Sequence, residues 1–137
     1  GSFSQDAARN WRRTNLIQLA ESLAKKKRSF GVILTAHHRD DCDETILLKL
    51  LRGAHITNLS GMDTVQRNIT ADDGVVFAKP MLGVTKVDIE NFLSSEGLMW
   101  REDSSNASGK YLRNRVRNEL LPLLTDLVGG ESILHVS

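Results

Sequence analysis

Between His37 and Glu44 the chain packs two histidines and four carboxylates into HHRDDCDE, and what flanks that cluster limits the folds available. Val32, Ile33 and Leu34 come just before it, a short β-branched run of the kind that forms a buried strand. Asp41-Cys42-Asp43-Glu44 has capping-box form, with Asp41 as the expected N-cap and Glu44 reaching back to it. Ile46, Leu47, Leu50 and Leu51 then fall on one helical face, and Gly53 is placed to end the helix at C′. The expected order is a buried strand over Gly31–Ala36, a loop over His37–Asp40 and a helix over Asp41–Arg52. In open α/β sheets, ligands bind at such a place, beside the carboxyl end of a strand and a helix N-terminus.

The rest of the chain fits the same class. Ser4 to Lys27 reads as an amphipathic helix with Leu16, Leu19, Ala20 and Leu23 inward, extended upstream by Ala8 and Trp11. Lys25–Arg28 add a basic last turn that complements the helix dipole. After a small, polar loop from Ala54 to Met62, Val65–Ile69 and Val75–Ala78 are strand candidates joined by the hairpin signal Asp72-Asp73-Gly74. Thr85 should cap a helix carrying Ile89, Phe92 and Leu93 and stopped by Gly97. Asp103–Asn106 and Ser108–Gly109 read as loop. A last helix begins near Tyr111, with Leu112, Val116 and Leu120 on one stripe and Pro122 expected to kink or restart it. The expected fold is α/β. One confident parallel strand cannot make a sheet alone, so partner strands are expected upstream of this sequence or in a second copy of the chain.

With 137 residues the chain has room for one domain, expected over residues 3–128. Gly1-Ser2 reads as a tag remnant and residues 129–137 as a flexible tail. The formal net charge of +1 neither favours nor excludes a nucleic-acid partner. A single cysteine, Cys42, excludes an internal disulfide and fits a reducing compartment. No apolar run approaches the ~20 residues of a membrane span, so no membrane partner is expected. An exposed strand edge invites pairing, so a concentration-dependent homodimer or a loose N-terminal region is expected.

Two clusters could carry chemistry. In the first, a histidine beside carboxylates just past a strand end suits a general base, or a group that orients a nucleophile. The competing reading is that Asp41 and Glu44 merely cap a helix. A metal site is not expected, because neighbours on one tight loop rarely converge on an ion. The second is KYLRNRVR, Lys110 to Arg117. Arg113 and Arg117 share a helical face, and paired guanidiniums bind phosphate; ion pairs with Glu102 and Glu119 on a solvated face are the alternative. Trp100 and Tyr111 make a thin stacking platform for single-stranded bases. Cys42 reads as incidental.

TAHHRDDCDETILLKLLRG with the following NLSGM resembles a signature of the tRNA(Ile)-lysidine synthetases, members of the PP-loop ATP pyrophosphatase superfamily. KPMLGVTKVDIENFL resembles that family's R-P-L-L and following helix. WREDSSN and YLRNRVRNELLPLL resemble its W-x-x-D-x-S-N and Y-x-R-N-x-x-R-x-x-L-L-P segments. The motifs stand in the family's order from about Asp6 to Leu124. Thiolation relatives share the histidine-aspartate core, but lack the R-N-x-x-R helix and often carry C-x-x-C pairs, absent here.

The resemblance implies the C-terminal part of a doubly wound, mostly parallel PP-loop domain followed by helices. It implies ATP and Mg²⁺ as cofactors, and an isoleucine tRNA and free L-lysine as partners. The implied reaction adenylates the C2 oxygen of the wobble cytidine, and the lysine amine then displaces AMP to give lysidine. His37, Asp40 and Asp41 match the family's active-site loop, with Asp40 or Asp41 expected to orient the amine or take its proton. Arg113 matches an arginine near phosphate or tRNA, with Asn114 and Arg117 supporting. Lys79 stands where the family has arginine, keeping the charge but losing the planar fork. The family's S-G-G-x-D-S phosphate loop is not among these residues, so the cofactor-binding residues are unassigned and the isolated chain is expected to be inactive. A thiolation enzyme and a non-catalytic tRNA-binding module are the competing readings. A bacterial source implies the cytoplasm; a eukaryotic one implies a plastid or mitochondrion.

Overall fold

The computed structural model describes residues 5–67, 75–101 and 111–129. The hairpin signal Asp72–Gly74, the loops Asp103–Asn106 and Ser108–Gly109, Lys110 and Glu102 lie outside them. The chain divides into two compact units, Gly1–Ala36 with Asp63–Pro80, and His37–Met62 with Met81–Ser137.

The first unit holds helix α1 (Gln5–Lys27) and strands β1 (Val32–Leu34), β2 (Val65–Arg67) and β3 (Val76–Ala78). Their order in the sheet is β1-β3-β2. β1 runs parallel to β3 with Ile33 opposite Phe77, and β2 runs antiparallel to β3 with Gln66 opposite Phe77. So β1 is not the solitary strand that its sequence suggested: β3 pairs one of its edges. The expected strand over Gly31–Ala36 shortens to three paired residues. Only Ile33 is buried; Val32 and Leu34 are exposed, because β1 has cover on one face only among the described residues. One pairing is parallel and one, the expected hairpin pair, antiparallel, so the small sheet of the described strands is mixed.

α1 meets this sheet on a different stripe from the one its leucines suggest. Ala20, Ile33, Val75 and Phe77 form the core, with Ile17 against them. Leu16, Leu19, Leu23 and Trp11 are exposed. The reason is close approach: a Cβ on Gly31 would stand 3.0 Å from both Cβ and O of Ala20. A glycine facing an alanine lets helix and chain come nearer than a leucine stripe permits, and Ala20 and Ala24 are the buried small residues of α1. Arg13 lies over the Phe77 ring, its guanidinium carbon 4.2 Å from the centroid, so a cation covers that aromatic face. Lys79 donates from Nζ to Asp63 O at 2.9 Å, anchoring the chain beside β2.

The second unit is helical. α2 (Arg39–Leu51) starts two residues earlier than expected, with His38 rather than Asp41 as N-cap. Asp41 sits at N3, and its Oδ2 accepts from the His38 backbone N–H at 3.1 Å, reversing the role its sequence position suggested. Gly53 ends α2 with φ of 76°, a value a side chain would disfavour. The buried face of α2 is Glu44, Ile46, Leu47 and Leu48, whereas Leu50 and Leu51, expected inward, are exposed. A 3₁₀ turn (Ile56–Asn58) follows. Helix α3 (Lys86–Ser95) is capped as expected: Thr85 Oγ1 accepts from Asp88 N–H at 3.1 Å. Ile89 and Leu93 of α3 are half-buried and Phe92 is exposed. Helix α4 (Leu112–Arg115), a π-helical turn (Val116–Leu120) and helix α5 (Leu121–Leu127) run on without a break. Leu47, Leu48 and Val116 are the core of this unit, with Leu120, Leu121 and Leu124 packed against them.

Candidate functional site

The first turn of α2 and the α4–π segment bring their charges together within the second unit. Asp41 and Glu44 are three apart, and Arg113 and Arg117 four apart, so each pair shares one face of its helix. Glu44 has no exposed surface, and each of its oxygens takes one guanidinium: Arg113 Nε donates to Oε2 at 2.6 Å and Arg117 Nε to Oε1 at 2.5 Å. Arg113 Nη2 and Arg117 Nη2 both stand 3.4 Å from Asp41 Oδ1. The two acids and two bases therefore form one closed network.

The electrostatics of the network favour the charged form of Arg117. Burial opposes the charge on Arg117, but the hydrogen bond to Glu44 and the charges of Glu44, Asp41 and Asp40 outweigh it, and the pKa rises. Pairing is what makes a buried Glu44 carboxylate tolerable, since an unpaired buried charge is strongly destabilising. The guanidiniums stay partly open, with side chains 38% and 33% exposed. Each arginine has N–H donors left over after serving Glu44 and Asp41, in a planar geometry that suits an oxyanion.

The other expected site residues divide. Asp40 Oδ2 accepts from Lys86 N–H at 3.1 Å, and Arg39 N–H donates to Val84 O at 2.9 Å. Asp40 thus satisfies one of the open donors in the first turn of α3, tying together the starts of two helices. His38 lies between the aspartates, its Nε2 3.5 Å from Asp41 Oδ2 and its Nδ1 3.8 Å from Asp40 Oδ2. That Nδ1 is buried without a hydrogen-bond partner among the described residues. His37 precedes the cap, half-buried. Asn114 is half-buried between Arg113 and Arg115. Glu119 does make an ion pair, but with Arg115, whose Nη2 is 2.8 Å from Oε2, leaving Arg113 and Arg117 to the acids of α2. Asp43 is pushed to a higher pKa by burial, with Asp40 and Glu44 adding to the shift and Arg39 opposing it.

Glu44 is the residue whose importance the sequence concealed. As a capping-box glutamate it had a sufficient local explanation, and only its three-residue spacing from Asp41, matched to the four-residue spacing of the arginines, hinted at more. Cys42 also gains a role. Its Sγ accepts from Met62 N–H at 3.2 Å, and a Cβ on Gly61 would lie 2.2 Å from that sulfur. Together with Lys49 Nζ, which donates to Ser60 O at 2.6 Å, it ties the loop after α2 back onto the helix. Among the described residues no group of three or more histidines, cysteines or carboxylates is gathered to hold a metal ion. None of the described helices is long and apolar enough to cross a membrane.

The family model of the PP-loop domain matches residues 1–124, and the chain belongs to that family. Among curated proteins it is similar to the tRNA(Ile)-lysidine synthase of Treponema pallidum, strain Nichols, with 40% identity over 99 residues, 72% of this chain and 19% of that protein. It is 43% identical to the enzyme of that name from Pseudomonas syringae pv. tomato over 96 residues, 70% of this chain and 21% of the relative. With that of Treponema denticola it shares 36% over 126 residues, 92% of this chain and 25% of the relative. The chain thus spans about a fifth to a quarter of the length of these curated relatives.

Proposed function

We propose that the whole protein carrying this sequence is a tRNA(Ile)-lysidine synthase, joining free lysine to the wobble cytidine of an isoleucine tRNA in an ATP- and Mg²⁺-dependent ligation. The observation that carries the reading is the closed network of Asp41, Glu44, Arg113 and Arg117 in a PP-loop chain similar to enzymes of that name. ATP supplies the activation that turns the C2 oxygen of cytidine into a leaving group. The described residues include no glycine-rich phosphate cradle and no metal-ligand cluster, so no step is assigned to them through either cofactor.

What these residues do is hold and orient. Glu44 fixes both guanidiniums by their Nε atoms, leaving Nη groups to meet a phosphate oxygen of the tRNA. Asp40 or Asp41 meets the lysine amine. Asp41 stands at the arginine pair, with Oδ2 on the His38 N–H and Oδ1 facing both guanidiniums, while Asp40 gives one oxygen to α3 and has the more exposed side chain. A carboxylate there attracts the ammonium, and a proton must leave that amine before its nitrogen attacks C2. On this reading His37, next to the helix start, contacts the reacting groups, and Asn114 supports the arginine helix. The isolated chain does not turn over on this reading, since the phosphate cradle is not among its residues.

The test is incorporation of labelled lysine into an isoleucine tRNA with a cytidine wobble base. The whole protein, its Asp41→Asn variant and the isolated chain are compared. Incorporation by the first, with at least about a 100-fold loss in the variant and none in the chain, supports the reading. A folded whole protein that binds the tRNA but transfers no lysine contradicts it, and a sulfur-containing product would move the assignment to a thiolation enzyme.

A further inference from the structure

Residues 112–127 form a continuous helical rod whose hydrogen-bond ladder slips once. Val116 N–H donates to Leu112 O in the ordinary register. Leu121 N–H instead donates to Val116 O, five residues back, and bypasses Arg117 O. Pro122, in the first turn of α5, follows immediately. Proline has no N–H to give, and its ring collides with the carbonyl four residues back, here that of Asn118. A helix that meets a proline must kink, break or widen, and this one widens into a π turn.

The widened turn has two effects at the site. Each of its residues advances fewer degrees around the axis than in an α-helix, so Arg117 falls more nearly in line with Arg113. Both Nε atoms can then reach the two oxygens of one buried carboxylate, Glu44. The same shift lets Leu121 join Leu120 and Leu124 in the cluster with Leu47, Leu48 and Val116.

We infer that Pro122 is a positioning residue: by excluding a regular ladder over 116–122, it imposes the π turn that sets Arg117 beside Arg113 on Glu44. Its consequence for activity rests on the functional reading above; its consequence for structure does not.

The experiment is Pro122→Ala in the whole protein, with Leu121→Ala as a control for packing. Three things are measured: a crystal structure, the melting midpoint and the kcat and KM for lysine incorporation. A regular ladder, displacement of Arg117 from Glu44, a lower midpoint as the buried carboxylate loses one partner, and a kcat lower by at least about tenfold are expected for Pro122→Ala. Leu121→Ala should lower the midpoint while kcat holds. A Pro122→Ala structure that keeps the Leu121–Val116 bond and both bonds to Glu44 overturns the inference, as does an unchanged kcat. So does a midpoint that falls while kcat holds, as in Leu121→Ala, which would assign Pro122 to packing alone. Should the wild-type protein transfer no lysine, the functional reading fails, and the crystal structure alone decides the inference.

Discussion

Both units bury an apolar cluster, but only the helical one adds a buried charge. Around α1 and the sheet, the core is wholly apolar, with Ala20 of α1 against Ile33, Val75 and Phe77, and the helix's own larger side chains Leu16, Leu19, Leu23 and Trp11 stay exposed. In the helical unit, a fully buried glutamate with two arginines sits in the same unit as a leucine-valine core. Apolar content therefore does not locate the inside of this chain. Close approach does in the first unit and charge pairing does in the second. The two demand different experiments, because a leucine that covers nothing and a carboxylate that anchors two cations fail in different ways.

The largest effect should come from Glu44. Glu44→Gln leaves two guanidiniums facing a neutral amide, and unfolding of the whole protein should show a loss of about 3–5 kcal/mol. A loss below about 1 kcal/mol would mean that the arginines find other partners and that the contrast between the units is overdrawn. Next is Leu48→Ala, a buried truncation expected to cost about 2–5 kcal/mol, against Leu19→Ser at an exposed position, about 0.5 kcal/mol or less in the isolated chain. A large cost of Leu19→Ser confined to the whole protein would show that its remaining residues cover that stripe.

Gly61→Ala is expected to cost about 1–3 kcal/mol, because its Cβ would meet Cys42 Sγ and the loop must move. The double variant with Cys42→Ala should recover part of that loss, and strictly additive losses would remove Cys42 from the explanation. The smallest effect is at Asp43, whose pKa is raised in the fold. Between the unfolded and folded values the native state holds the extra proton, so stability falls as pH rises through that window. Asp43→Asn should therefore raise the melting midpoint at pH 7 and lose its advantage as the pH drops towards the unfolded carboxylate value. An advantage that persists at low pH would trace it to packing instead.

Much of the second unit was legible from the sequence because its signals are local. Thr85 at a helix start and Gly53 and Gly97 at helix ends act through their own backbone, and all three stand where their chemistry requires. The shift of the α2 cap from Asp41 to His38 shows where local signals compete: aspartate suits N-cap and N3 alike, and both helix starts read plausibly. Of the expected α1 stripe only Ala20 lies inward; its leucines were misread for a tertiary reason, since periodicity cannot distinguish two stripes one residue apart when Gly31 is the neighbour that decides. At the site, the residue types and the arginine helix could be read, but the convergence on Glu44 could not. It joins residues 69 and 73 positions apart, and no local spacing carries that information.

The most direct test of that convergence is a coupling measurement on the whole protein. Lysine-incorporation kcat/KM would be compared for Glu44→Gln, for Arg113→Lys with Arg117→Lys, and for all three together. If one network holds the site, the triple variant loses little more than Glu44→Gln alone, since the arginines have already lost their common anchor. Losses that multiply as independent factors, or a Glu44→Gln enzyme with wild-type kcat/KM, would contradict the account.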